Sequence, residues 1–315
     1  YFLSREGRLM KAVYDTWTTG LPDTPRSEYL VVSRRCSSMA AVSSFEDILD
    51  IAKTTYYPNT LRKLLHTRYG ISPSAEKWQQ IARAENLGPE SIVEIQQNRI
   101  GRLEAVLDML REEINTRAES EKTGLLQQLS VLGMPAAKNP AVADVGYGGS
   151  VQGHLNKILG KPVHGYYLLT DERSRRVADR FNVHLRGCFG EEIGSSQESP
   201  LIFRYSFDLE KLLSSNDPQI EYYEMKAGQA VGHYRPLADE ELAASEIRNQ
   251  IQAGALQYTA DLREIRQTLL PDFQPSCFVA TSLMDAFLTN QSDAEIALLS
   301  SITLDDYYCG RDLVA

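Results

Sequence analysis

The chain has few of the features that announce the commonest functional classes. Its four cysteines (Cys36, Cys188, Cys277, Cys309) are far apart and contain no C-x-x-C pair. Scattered buried thiols in a reducing cytosol are therefore expected, rather than a zinc site or a disulfide frame. Basic charge is not in excess: 33 Lys and Arg stand against 42 Asp and Glu, for a formal charge of −9. Nucleic acid is set aside as a partner, because binding a phosphate backbone needs a basic face. No apolar run reaches transmembrane length and no signal peptide opens the chain. The expected location is the cytoplasm, free or peripheral at the inner face of a membrane. The patterns G-x-x-x-x-G-K-[ST], G-x-G-x-x-G and G-x-S-x-G are missing, as is the D-x-D-x-T loop of haloacid-dehalogenase-type phosphatases. These absences argue against a Walker-type NTPase, a dinucleotide-binding fingerprint, a serine hydrolase and that phosphatase class. The five histidines show no metal-ligand spacing. The first residue is Tyr1, inside a strand-like run and without a methionine, so upstream residues are expected.

What is present centres on Pro140-Ala-Val-Ala-Asp-Val-Gly-Tyr-Gly-Gly-Ser150. An apolar run ends in Asp144, glycines follow at 146, 148 and 149, and a helical pattern starts after Ser150. Glycine permits positive φ and close backbone approach to a ligand. The first N–H groups of a helix point unpaired at whatever sits before them. An acid at the strand end is then placed for a sugar hydroxyl or a hard cation. Two readings stay open on the loop alone: a phosphate-and-sugar cradle, or a plain strand-to-helix turn.

With 315 residues, 43% of them hydrophobic and 24% charged, the chain is long enough for an α/β core with an inserted part. Tyr1–Ser4 and 28–33 read as strands, each followed by a polar turn and a helical pattern; Leu9, Val13 and Trp17 mark the first helix face. Residues 44–134 break the alternation and read as a helical insertion, with helix starts at Ser43–Asp47 and Ser74 and little strand character from 90 to 132. The pattern resumes with 163–169 as a strand, then 201–207 and 220–225 as further strands, with 219–234 as a hairpin. Residues 237–270 read as helix interrupted near Gly254, and the tail from 285 gives no clear pattern. The expected fold is α/β: an open, mostly parallel sheet of strand–turn–helix units. Its core spans 1–43 and 135–236, with the helical insertion at 44–134 and a mostly helical part at 237–315.

Three strand ends then carry chemistry: Arg5 and Glu6, Arg34 and Arg35, and Asp144 with its glycine loop. In one parallel sheet they converge on one crevice. Arginines facing a helix N-terminus and a carboxylate suit a ligand with two phosphate groups joined by a sugar. Asp144, with Glu6, is the candidate for ribose hydroxyls or Mg²⁺. His154, one turn into the helix, is a candidate to reach a leaving phosphate or an acceptor hydroxyl. The alternative for each arginine is an ordinary ion pair with a surface acid.

Tyr-Phe-Leu-Ser-Arg-Glu-Gly (1–7), Tyr-Leu-Val-Val-Ser-Arg-Arg (29–35) and Val-Ala-Asp-Val-Gly-Tyr-Gly-Gly-Ser-Val-Gln (142–152) resemble, in the same order, the motifs of a bacterial polysaccharide-assembly module. It is the glycan phosphoribosyltransferase half of dual-domain ribofuranosyltransferases, which often follows a haloacid-dehalogenase-type phosphatase domain. The resemblance implies transfer of 5-phosphoribosyl from phosphoribosyl pyrophosphate (PRPP) to a glycan hydroxyl, with a lipid-linked oligosaccharide as the acceptor. Pyrophosphate is released, and a phosphatase domain or protein acts second; O-antigen and capsule assembly are the implied settings. Asp144 before Tyr147-Gly-Gly-Ser150 is similar to the acid and Thr-Gly-Gly-Thr of ordinary phosphoribosyltransferases. On this likeness Gly146, Tyr147, Gly148, Gly149 and Ser150 hold the 5-phosphate and Asp144 the ribose. Arg5, Arg34 and Arg35 meet the pyrophosphate with Mg²⁺, and Glu6 or His154 takes the acceptor proton. Glu6 stands where the family has aspartate. Two alternatives remain: a non-catalytic sugar-phosphate-binding scaffold of a glycan-assembly complex, and a nucleotide-sugar glycosyltransferase.

Overall fold

Four apolar runs and one glycine-containing strand lie side by side as one all-parallel sheet. A computed structural model of the chain describes residues 1–196, 199–311, 313 and 314. The sheet strands are β1 (Phe2–Leu3), β2 (Tyr29–Leu30), β3 (Ala141–Asp144), β4 (His164–Asp171) and β5 (Leu185–Ile193), in the order β2-β1-β3-β4-β5. Phe2 pairs with Tyr29 on one side and Ala143 on the other, and Asp144 pairs with Tyr167. The order reverses between β1 and β3, and such a reversal opens a crevice at the carboxyl ends of the strands. Tyr166 and Tyr167 show the pleat: Tyr167 is buried and Tyr166 is exposed. Leu3, Leu30, Val142, Leu155 and Val163 fill the core under the sheet.

The helices following β1, β2 and β3 are Gly7–Thr18, Arg34–Ala40 and Ser150–Leu159, so three helices start at the same edge. Two expectations in the second half fail. Residues 201–207 form the helices Leu201–Arg204 and Ser206–Leu213 rather than a strand. Their apolar run buries Ile202 and Leu209 on one helical face, and a short apolar run does not by itself separate a strand from a buried helix. The strand is instead β5, whose Gly187 and Gly190 hide it from a propensity reading. The hairpin of Ile220–Lys226 with Gln229–Tyr234 forms antiparallel. The helix Ser245–Thr268 runs unbroken through Gly254, since one glycine costs only about 1 kcal/mol in a helix.

Buried residues from Met39 to Ala118, among them Ile48, Leu64, Tyr69, Ile81, Val106 and Ile114, form one cluster, while Leu125, Leu129 and Met134 pack into the core under the sheet. The helix Phe45–Lys53 starts at Ser44 with a reciprocal Asp47 capping box, and Ala75–Glu85 starts at Ser74. The region also holds a two-stranded antiparallel ribbon, Tyr56–Thr60 with Ile92–Ile95. Its second strand alternates exposed and buried residues and lies where little strand was expected. Arg68 is completely buried here, and its guanidinium donates to the carbonyls of Ile51, Ala52, Thr54, Thr55 and Tyr308 at 2.7–3.1 Å. The last carbonyls of the Phe45–Lys53 helix are thereby satisfied by a cation, as its dipole favours.

The tail returns to the sheet. A short antiparallel pair, Leu304–Asp305 with Leu313–Val314, flanks a single turn at Tyr307–Cys309. Asp305 meets Arg5 at 2.8 Å and Arg235 at 3.3 Å. Among the described residues, no helix is long and apolar enough to cross a membrane. Arg68→Ala is expected to lower the unfolding free energy by roughly 3 kcal/mol or more, because several buried carbonyls lose their donor at once; a urea titration followed by circular dichroism measures it.

Candidate active site

Parallel pairing carries Glu6, Arg34 and Asp144 to the same edge of the sheet, and the electrostatics show them acting on one another. Asp144 ends β3, half-buried, with Oδ1 accepting from the Val145 N–H at 2.8 Å. Burial, then Glu6, and more weakly Glu210, push its pKa well above the carboxylate range, while Arg34 and the Val145 hydrogen bond pull the other way. Glu210 was not foreseen. It sits on the helix Ser206–Leu213, where the expected strand gave no reason to look for a crevice residue. Burial and the Glu6 charge raise its pKa to about 7, against Arg34, a Tyr147 hydrogen bond and Arg5. Glu6, Asp144 and Glu210 thus crowd one poorly solvated space with the guanidinium of Arg34 at its open side, and Asp144 and Glu210 hold their protons more tightly than they would in water.

Glu6 is fixed by two hydrogen bonds. Ser214 Oγ donates to its Oε1, and the Arg5 N–H donates to its Oε2 at 3.1 Å. The Arg5 side chain leans away from the glycine loop, toward Asp305 at 2.8 Å and Glu241 at 3.8 Å.

Arg34 and Arg35 diverge. Arg34 is exposed, lies over the Tyr308 ring at 5.6 Å, and faces Asp144 and Glu210. Arg35 turns inward, is 6% exposed, and forms a two-pronged pair with Glu121 on the helix Arg111–Val131. It also donates to the Glu221 carbonyl at 2.9 Å. Arg35 is therefore spent on internal pairing and does not face the glycine loop with Arg34, where both were expected. Neighbours on a helix point about 100° apart, and here that angle separates crevice from core.

The glycine loop has the geometry of a cradle. Gly149 is the N-cap of Ser150–Leu159 with φ of 72°, and among the described residues no side chain caps that end. A Cβ at Gly149 would run into the Leu185 side chain, and one at Gly146 would lie 2.6 Å from the Leu169 carbonyl oxygen. Ser150 opens the helix. Tyr147 closes one flank: its hydroxyl donates to the Ser206 carbonyl at 3.1 Å and bonds Glu210, with its pKa raised by burial. Gly148 faces Arg173, a Cβ there falling 3.7 Å from Nε. Arg173 is half in solvent and is held by Asp171 at 2.6 Å. It is a second unforeseen residue; its only signal was its place at the end of a strand.

His154 is engaged elsewhere. Its Nδ1 shares a hydrogen bond of 3.0 Å with Ser37 Oγ, and its ring packs edge-on against Phe181. Burial, with Lys157 and Arg34 nearby, lowers its pKa to about 4, so it is neutral at physiological pH.

Two outcomes follow. Arg35→Ala is expected to lose roughly 3–5 kcal/mol of stability, because Glu121 is left buried and unpaired. Arg34→Ala stays within about 0.5 kcal/mol of the parent; chemical denaturation of both tests this. Glu210, with a folded pKa raised from 4.5 to about 7, contributes stability that is full below pH 4.5 and lost as pH rises through 7. Glu210→Gln should match the parent near pH 4.5 and be more stable by on the order of 2 kcal/mol at pH 8, read from denaturation midpoints across that range.

No protein-family model matches this chain, and no curated protein matches it significantly.

Proposed function

We propose that the chain is a glycosyltransferase of bacterial polysaccharide assembly, moving 5-phosphoribosyl from PRPP to a glycan hydroxyl with release of pyrophosphate. The observation that carries the reading is the meeting of Asp144, an uncapped glycine-led helix start and the exposed Arg34 at the reversal point of a parallel sheet. A sugar bearing phosphate at both ends matches that arrangement. The first N–H groups of Ser150–Leu159, with Arg173 beside Gly148, would hold the 5-phosphate. Asp144 would hold the ribose hydroxyls.

An acidic crevice repels a bare diphosphate, so the donor's charge has to be offset. Among the described residues no group of three acidic, histidine or cysteine side chains is gathered to hold a metal ion. Mg²⁺, however, commonly takes one or two carboxylates, several waters and the substrate's own phosphates. Glu6 and Asp144 would supply that pair, and the ion when bound would neutralise part of the diphosphate charge. In the transfer, the acceptor oxygen bonds to C1 while the bond from C1 to the pyrophosphate oxygen breaks. The electron pair leaves on pyrophosphate, next to Arg34, and the hydroxyl proton goes to Glu210. Glu210 takes this role over the expected Glu6, which would hold the ion, and His154, which Ser37 engages. A carboxylate with its pKa near 7 is well matched to general base work. The phosphatase step then falls to a second domain or protein, with a lipid-linked oligosaccharide as the acceptor substrate.

Pyrophosphate release from PRPP and lipid-linked oligosaccharide, with Mg²⁺, tests the reading. Asp144→Asn and Glu210→Gln should each lower kcat/KM by about 100-fold or more. The parent's kcat/KM should rise through pH 7, and Glu210→Gln should lose that limb. Protection from thermal unfolding by UDP or GDP but not PRPP would favour a nucleotide-sugar enzyme instead. PRPP protection without turnover would favour a scaffold.

A further inference from the structure

Two of the four thiols, 89 residues apart in sequence, meet at the surface. Cys188 lies in β5, and Cys277 is the first residue of the helix Cys277–Thr289. Both are exposed, and their sulfur atoms are 3.1 Å apart. The other two differ: Cys36 is buried under the sheet, and Cys309 is half-buried in the tail. The spacing along the chain gives no hint of the pair; scattered buried thiols are the expectation, and Cys188 and Cys277 depart from it by being exposed and adjacent.

We propose that Cys188 and Cys277 are an oxidation site, closing reversibly to a disulfide that fastens the helix Cys277–Thr289 to the edge of the sheet. The bond needs the sulfurs to approach by about 1 Å, within the reach of side-chain rotation. Through Met284 the same helix packs on the cluster of Val145, Ile202 and Leu209. That cluster supports the start of the glycine loop and the helix bearing Glu210. Oxidation would therefore stiffen one wall of the crevice, and the site stands whether or not the transferase reading does.

The chemistry balances with a small disulfide such as oxidised glutathione as the oxidant. Cys277 is the first residue of its helix. Desolvation and the hydrogen bond to Cys277 push the Cys188 thiol up to about 11, so Cys188 does not open the exchange and Cys277 attacks first. Its thiolate, having given its proton to solvent, displaces one glutathione thiolate and forms a mixed disulfide. The Cys188 sulfur then attacks the Cys277 sulfur, expelling the second glutathione thiolate. Two protein thiols are oxidised, one glutathione disulfide is reduced to two thiols, and both protons end in the released glutathione or solvent.

The test incubates the reduced chain with oxidised glutathione, blocks remaining thiols with N-ethylmaleimide, and maps unreduced peptides by mass spectrometry. The expected result is one peptide pair joining Cys188 to Cys277 within a monomer. Thermal unfolding should shift upward by on the order of 5 °C, and dithiothreitol should reverse it. Cys188→Ser and Cys277→Ser should each show no shift, with glutathione retained on the remaining cysteine. A folded parent that carries glutathione or N-ethylmaleimide on both cysteines would overturn the proposal. So would a crosslink formed between two copies on a non-reducing gel.

Discussion

Parallel strand pairing is the constraint on which the site depends. Because β1, β2 and β3 run in one direction, Glu6, Arg34 and Asp144 leave the sheet at the same edge although they lie up to 138 residues apart in sequence. The reversal between β1 and β3 sends their connections to opposite sides of that edge. Turning any one of these strands around would carry its functional residue to the opposite end of the sheet.

The crevice is acidic, and its neighbours set how that charge behaves. Glu6, Asp144 and Glu210 repel one another where water is scarce, so Asp144 and Glu210 hold protons more tightly than free carboxylates do. Arg34 opposes this from the open side, while Arg5 is largely committed to Asp305. The balance favours a ligand that arrives with compensating positive charge, or a reaction that delivers a proton to one of the acids.

The insertion and the tail act as the frame. Arg35 ties the insertion to the β2 exit through Glu121, and Arg68 ties the insertion to the tail through the Tyr308 carbonyl. Asn59 adds a bond to the Gly310 carbonyl at 2.7 Å. Arg5 and Arg235 then share Asp305, bringing the tail to the end of β1. Buried arginines recur because one planar guanidinium satisfies several acceptors where a lysine cannot.

The sequence by itself determined the local pieces. The apolar runs of β1 to β4, the serine-capped helix starts at Ser44 and Ser74, and the glycine turn after Asp144 all depend on residues within a few positions of one another. The α/β alternation was legible for the same reason. Tertiary structure alone decided which charges meet. Whether Arg34 or Arg35 faces the crevice depends on where Glu121 lies, 86 residues onward. Glu210 joins the site only because 206–213 folds as a helix against the Val145 and Leu169 cluster. Cys188 and Cys277 are neighbours only because a glycine-weakened edge strand receives the helix Cys277–Thr289. Long-range packing fixes such contacts, and no local spacing encodes it.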